Sequence, residues 1–213
     1  MKLVTTAFAD MDTIPAEFAF CKPDPKSHVT LSANRNPDFK WRDLPPGTRS
    51  LALLCVDPDV PSRGDDVNQE GRVVKASLPR VDFFHWVLVD LPADTPAIRS
   101  GEFSDGVTPR GKPGPGALHG ARQGINDYTG WFASDPQMSG NYFGYDGPCP
   151  PWNDERIHHY VFTLYALDVP TLGVDGTFTG AAARAALQGH VLAQAAVTGI
   201  YTQNPALQRL VYG

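Results

Sequence analysis

The sequence predicts one loop-rich, mainly β domain, and three observations lead there. Of its 213 residues, 20 are proline and 20 are glycine. A proline inside a helix removes a donor and strikes the preceding turn, so a helical bundle is excluded. Apolar and β-branched residues gather in short runs of strand length that stop at glycine or proline. One segment alone has a convincing helical composition. The length suits a single sizeable core, and 42% hydrophobic residues set the chain apart from disordered ones.

The elements follow in order. Residues 50–56 (SLALLCV) are a continuous apolar run between Gly47 and Pro58, which reads as a buried strand. Residues 62–70 are polar and turn-rich. Residues 83–91 (FFHWVLVDL) are aromatic and β-branched and end at Pro92. Period-two alternation there sets Phe83, His85, Val87, Val89 and Leu91 on one face. Prolines and glycines in residues 109–120 block regular structure. Residues 124–151 form a second long loop carrying Tyr128, Trp131, Tyr142, Phe143 and Tyr145; a loop of that length is usually functional. Residues 159–167 alternate as a strand, and His158 and Tyr160 share the face of Phe162 and Leu164. Alanines in residues 180–189 predict a helix closed by Gly189. Residues 197–201 make the last strand.

Several function classes drop out. The net charge is −5 with no basic run, unlike a duplex-binding protein. Nothing approaches the roughly 18 apolar residues of a membrane-spanning helix, and the first residues lack the apolar core of a secretory signal. A cytoplasmic protein is therefore expected. Cys21, Cys55 and Cys149 are odd in number and far apart, so the expectation is reduced thiols with neither a zinc pattern nor a disulfide framework. The nucleophile elbow, zinc-protease and phosphate-loop motifs are all missing from the sequence.

The informative residues are polar groups next to apolar strands. An imidazole at His85 must be hydrogen-bonded or face a cavity, because an unpaired buried polar group costs roughly 1–3 kcal/mol. Asp57 and Asp59 bracket Pro58 just after the first strand, where a carboxylate can point across a sheet end or simply close a turn. The stretch Gly147-Pro148-Cys149-Pro150-Pro151 holds a stiff loop ahead of His158.

Four motifs then occur in order: Asp57-Pro58-Asp59-Val60-Pro61-Ser62-Arg63, Phe84-His85-Trp86-Val87, Gly144-Tyr145-Asp146-Gly147-Pro148-Cys149-Pro150-Pro151, and the run from His158 to Asp168. Together they resemble the phosphatidylethanolamine-binding protein family, also called Raf kinase inhibitor proteins, and most closely its bacterial YbhB/YbcL branch. The likeness covers nearly the whole chain. It implies an antiparallel Greek-key β-sandwich with a few short helices, long loops and a small anion pocket at one end. Carried over by motif, Asp57 is the pocket aspartate, with Asp59 and Pro61 supporting its turn. His85 is the strand histidine, Gly147 and Pro151 belong to the rim loop, and His158 and Tyr160 match the H-R-Y motif. His159 stands where that motif usually has Arg, and Phe83 where Trp is common. Loops 64–79 and 110–142 are long for a bacterial member, and residues 202–213 hold no obvious counterpart of the C-terminal helix that helps close the pocket in eukaryotic members.

The implied function is non-catalytic binding of a phosphate or phosphoryl head group, with a signalling or inhibitory role. On this reading two histidines held partly protonated by Asp57 donate to phosphate oxygens, with no metal or cofactor. Asp57 itself would repel an anion unless it orients a histidine or accepts from a ligand amine or a protonated phosphate, which favours a ligand bearing a cation as well, or weak binding. Two other readings stand beside it. Asp57, His85 and His158 could serve a metal-assisted or acid–base hydrolase. The long loops, with Trp131, Tyr142 and Phe143 as interface aromatics, could inhibit a kinase or protease. Expected partners are a small anionic ligand, such a protein, and a second copy of the chain; nucleic acid and integral membrane contact are not expected.

Overall fold

The computed structural model describes residues 1–211. Its strands are β1 (Lys2–Val4), β2 (Asp12–Thr13), β3 (Cys21–Asp24), β4 (His28–Leu31), β5 (Phe39–Arg42), β6 (Ser50–Pro61), β7 (Arg80–Pro92), β8 (Ala97–Ile98), β9 (Arg122–Gln123), β10 (His158–Leu167) and β11 (Val191–Tyr201). The helices are α1 (Tyr128–Trp131), α2 (Gly180–Ala186) and α3 (Pro205–Val211). Six strands form one sheet in the order β2-β11-β10-β6-β7-β9, antiparallel except for the short β2–β11 pair. A three-stranded sheet, β1-β5-β8, packs over one face of it, and β3 pairs with β4 alone. The protein is a mainly β sandwich, as the sequence predicts.

Strand β6 is apolar without alternation because both its faces are covered. Leu51, Leu53 and Cys55 enter the core between the sheets with Phe39, Trp86 and Phe162. Ala52 and Leu54 meet a second cluster, built from Leu172, Val174, Phe178 and the Ala183 and Leu187 side chains of the α2 region. Burial on two faces makes each such strand a near-continuous hydrophobic run.

Strand β7 departs from the expected alternation. Cys55 pairs with Trp86 and the next residue, Val56, pairs with Phe84, so His85 is an extra residue in a β-bulge. The bulge resets the pleat, so Val87 and Val89 join the outer cluster while Trp86 and Leu88 join the inner one. His85 therefore does not share a face with Val87 and Val89. A bulge bends its strand and re-aims one side chain, and here that side chain is the imidazole. Strand β10 alternates as expected, with Tyr160, Phe162, Leu164 and Ala166 inward.

Three further expectations need correction. Helix α2 stops at Ala186, with Thr179 Oγ1 accepting from the Ala182 amide at its start, and Gly189 lies in the left-handed turn beyond it. Strand β11 begins at Val191, because pairing to β10 imposes extension on a half-exposed Ala-rich stretch whose composition favours helix. Helices α1 and α3 stand beside the one helix that composition predicts.

Candidate functional site

A cavity of about 510 Å³ opens at the end of the large sheet, where β6, β7 and β10 finish beside the β3–β4 hairpin and the rim loop. Of the eight residues singled out from sequence, Asp57, Pro61, His85, Pro151, His158 and Tyr160 line it. Asp59 and Gly147 do not. The Asp59 carboxylate turns outward, accepting from the His159 amide at 3.1 Å and His159 Nδ1 at 2.8 Å, with Arg156 Nη1 at 3.4 Å. His159 thus takes a structural bond where the related motif has Arg. Gly147 sits behind the wall. Its amide donates to Asn34 Oδ1 at 2.8 Å, its carbonyl accepts from Tyr128 OH at 2.8 Å, and a Cβ there would collide with the Phe18 carbonyl.

The floor is a set of buried polar groups. His85 Nδ1 donates to the Asp146 carbonyl at 2.7 Å, and the Asp146 amide donates back to the His85 carbonyl at 3.0 Å. This pair of bonds fixes the tautomer and leaves Nε2 toward the cavity. Burial pushes the His85 imidazole below its ordinary value, against the opposing pull of the Asp57 carboxylate and the Asp146 carbonyl. The ring is neutral at neutral pH, and its Nε2 is an acceptor.

His158 is the opposite case. Fully buried, it donates from Nδ1 to Asp57 Oδ2 at 2.7 Å and from Nε2 to Asp154 Oδ2 at 3.2 Å. Burial alone would lower its pKa, but the carboxylates of Asp57 and Asp154 raise it to about 9. Arg80 Nη2 in turn reaches Asp154 Oδ1 at 2.9 Å. Burial pushes the Asp154 carboxyl up, and the bonds from His158 and Arg80 outweigh that and hold it below its ordinary value. Arg80, Asp154, His158 and Asp57 form a chain of alternating charges that sums to zero.

This geometry overturns the expected pair of imidazolium donors. His158 is charged but both its N–H groups are spent on carboxylates, and His85 is uncharged. The same chain removes the sign conflict at Asp57. That carboxylate accepts from His158 and, at 2.8 Å, from the Asp59 amide, so it presents no uncompensated charge to an anion. Tyr160 supplies the remaining polar group. Burial, aided by Asp57, keeps its hydroxyl far above the ordinary value, so it stays a phenol able to donate.

Aromatic and apolar side chains form the walls. Tyr128 stacks on Phe20 at 4.7 Å, and His85 packs against Phe83 at 4.8 Å and edge-on to Tyr160 at 5.0 Å. Leu31 and Trp131 stand exposed at the mouth, and Arg63, also at the mouth, is exposed. Tyr142 and Phe143, offered as interface aromatics, are buried instead, 0% and 6% exposed.

Sequence reasoning missed a second layer beneath His85. Asp146, fully buried, pairs with Lys112 Nζ at 3.0 Å, Asn34 Nδ2 at 2.7 Å and Asn126 Nδ2 at 2.8 Å. Burial pushes the Lys112 ammonium down, against the pull of Asp146. Asp146 lay inside a quoted motif, but nothing local in the sequence announces Asn34, which is 112 residues away.

The cysteine expectation is also corrected. Cys21 of β3 and Cys149 of the rim loop form a disulfide, with Cα atoms 5.1 Å apart, while Cys55 is free and buried. Both bonded cysteines line the cavity, so the bond fastens the hairpin wall to the rim loop. A spacing of 128 residues hides such a pair from sequence reasoning. Replacing both with serine is expected to cost about 2–5 kcal/mol of unfolding free energy. Urea denaturation of the oxidised wild type and the double variant measures it.

The comparisons agree with this architecture. The chain is 28% identical over 202 residues to UPF0098 protein YbhB of Escherichia coli (strain K12), covering 95% of this chain and 100% of that protein. It is 30% identical to a UPF0098 protein of Methanothermobacter thermautotrophicus, covering 94% and 98%. Its fold is similar to the crystal structure of E. coli YbcL, described as a new member of the mammalian PEBP family, with a TM-score of 0.67, 22% identity and coverage of 94% and 97%. A PEBP homologue from Chlamydia trachomatis superposes with a TM-score of 0.62 at 24% identity, covering 94% and 95%. A family model described as phosphatidylethanolamine-binding protein matches residues 4–202, and the chain belongs to that family.

Proposed function

We infer that this protein binds, without turning it over, a small ligand whose phosphoryl or similar oxyanionic head reaches the cavity floor. The observation that carries this reading is the cancellation of Asp57 by His158, which leaves a floor of His85 Nε2, the Tyr160 hydroxyl and no net charge. A head group with a protonated oxygen donates to His85 Nε2 and accepts from Tyr160. Arg63 at the mouth suits a second negative charge, and the aromatic walls suit an apolar or ammonium-bearing remainder. The family's name, which refers to a phospholipid with such a head, supports the class.

Hydrolysis is less well served. An acid–base pair must exchange protons with substrate, whereas Asp57 and His158 are hydrogen-bonded to each other and His85 is oriented by a carbonyl rather than a carboxylate. Inhibition of a kinase or protease retains Trp131 as an exposed aromatic but loses Tyr142 and Phe143 to the interior. The Cys21–Cys149 bond is of the kind an oxidising compartment maintains, and it speaks for such a compartment beside the cytoplasm expected from sequence.

Calorimetric titration with phosphoethanolamine tests the reading. Saturable binding is expected, weakened on the order of tenfold or more in His85→Ala, as loss of a buried hydrogen bond implies. Equal heats from wild type and the variant would remove the cavity floor from the interaction. Acidification through the phosphoryl group's second pKa, about 6, should strengthen binding, because it supplies the protonated oxygen that donates to His85 Nε2 while the lowered pKa keeps that nitrogen an acceptor.

A further inference from the structure

The β3–β4 hairpin forms one wall of the cavity, yet among the described residues its two strands pair only with each other. Hydrogen bonds tie its Cys21 end: the Phe20 and Cys21 amides donate to the Pro148 carbonyl at 2.9 and 3.2 Å, and Tyr201 OH donates to the Cys21 carbonyl at 3.1 Å. At its turn His28 stacks on Trp152 with ring centroids 3.9 Å apart and meets the exposed Glu70. The covalent tie is the Cys21–Cys149 bond, and its two sulfurs are not equivalent. Cys21 is 2% exposed, whereas Cys149 is partly exposed, and both border the cavity. Gln203, fully buried, donates from Nε2 to Cys21 Sγ at 2.8 Å and stands 4.0 Å from Cys149 Sγ. Its Oε1 has no hydrogen-bond partner among the described residues.

We propose that Cys149 is a thiolation site: a low-molecular-weight thiol entering the cavity attacks Cys149 Sγ, and the opened bond frees the hairpin wall. The reagent's thiolate forms a new S–S bond to Cys149 as the Cys149–Cys21 bond breaks. The electron pair leaves on Cys21 Sγ, which takes up the proton the reagent released. A second equivalent attacks the mixed disulfide, so two thiols become one disulfide and the protein gains two electrons as a dithiol. Exposure directs the first attack to Cys149. A thiol leaves faster when its thiolate is stabilised, and Gln203 Nε2 places its donor on Cys21 Sγ. Half a turn of the carboxamide puts Oε1 where Nε2 stands, so the same residue then accepts from the Cys21 thiol. The regulatory consequence rests on the binding reading above. A ligand filling the cavity lies between Val29, Thr30 and Leu31 of the hairpin and Pro150 and Pro151 of the rim loop, so untying the two walls weakens its binding.

Peptide mapping by mass spectrometry tests the site, after brief treatment of the oxidised protein with glutathione and a quench with N-ethylmaleimide. Glutathione is expected on Cys149 and maleimide on Cys21. The reverse pattern, or a bond that glutathione leaves intact, would overturn the proposal. Gln203→Met should slow the attack on the order of tenfold, the worth of about one hydrogen bond to the leaving thiolate. A merely structural role would loosen the surroundings of the bond and speed the attack, so an equal or faster rate would overturn the part given to Gln203. Reduction with a phosphine should cost residues 21–31 their protection from hydrogen exchange, and unchanged protection would mean that the bond does not hold the wall. Titration of both redox forms with phosphoethanolamine separates this proposal from the reading it rests on. Binding to the oxidised form that weakens on the order of tenfold on reduction supports both. Equal binding by the two forms overturns the regulation alone. No binding by either form overturns the ligand reading and the regulation built on it, while the mapped thiolation site stands.

Discussion

Replacing His158 with Gln is expected to lower the free energy of unfolding by about 3–5 kcal/mol, the cost of breaking a buried ion pair by removing one partner. The imidazolium lies between two carboxylates, each at most 2% exposed by side chain. Asp154 keeps Arg80 when His158 is gone, but Asp57 is left with only the Asp59 amide. Its charge then has no cationic partner, on a side chain only 2% exposed. The pH dependence gives a second signature of the same pair. The folded pKa of His158, about 9, lies above the unfolded value of 6.5. Its contribution to stability is therefore complete below pH 6.5 and is lost as pH rises through about 9. The size is on the order of 3 kcal/mol. Urea denaturation at a series of pH values should show this alkaline decline in wild type and a much flatter limb in His158→Gln. An equally steep limb in the variant would mean another group carries it.

Lys112→Met should be comparably costly, about 3–5 kcal/mol, for the same physical reason. Asp146 is fully buried, and Lys112 is the cation paired with it. The Lys112 ammonium also donates to the Tyr145 carbonyl, so methionine forfeits that bond too. Asn34 and Asn126 would remain on the Asp146 carboxylate, yet neither supplies charge. Adding Asp146→Asn removes the stranded charge, and the double variant should regain a large part of the loss. A double-mutant cycle by chemical denaturation measures that coupling. The functional consequence follows through the backbone, since the Asp146 carbonyl holds the His85 ring. The Lys112→Met variant should therefore bind phosphoethanolamine more weakly even where it remains folded.

Much of the sandwich was legible because its strands are covered on both faces and end at turn residues, as residues 50–56 do. The alternation of β10 was legible for the same kind of reason, with one face in the core and the other only half covered. His85 shows where such reading stops. A β-bulge is a property of two paired strands, and neither strand alone reveals that Val56 pairs past it to Phe84. The Ala-rich start of β11 shows tertiary pairing overriding local preference. At the site, motif order brought Asp57, His85, His158 and Tyr160 to one cavity. Their charge states depended on Asp154, Arg80 and Asp146, which no spacing rule connects to them. The same holds for the Cys21–Cys149 bond, made between residues that only the folded hairpin brings together.

The measurement that tests the account most directly is a long-range proton–nitrogen NMR spectrum of the histidine rings at neutral pH, recorded before and after adding phosphoethanolamine. The free protein should show His158 with both nitrogens protonated and His85 with a proton on Nδ1 and a bare Nε2. Added ligand should move the His85 Nε2 resonance and leave His158 an imidazolium. A doubly protonated His85 in the free protein, or saturable binding that leaves its Nε2 unmoved, would contradict the account.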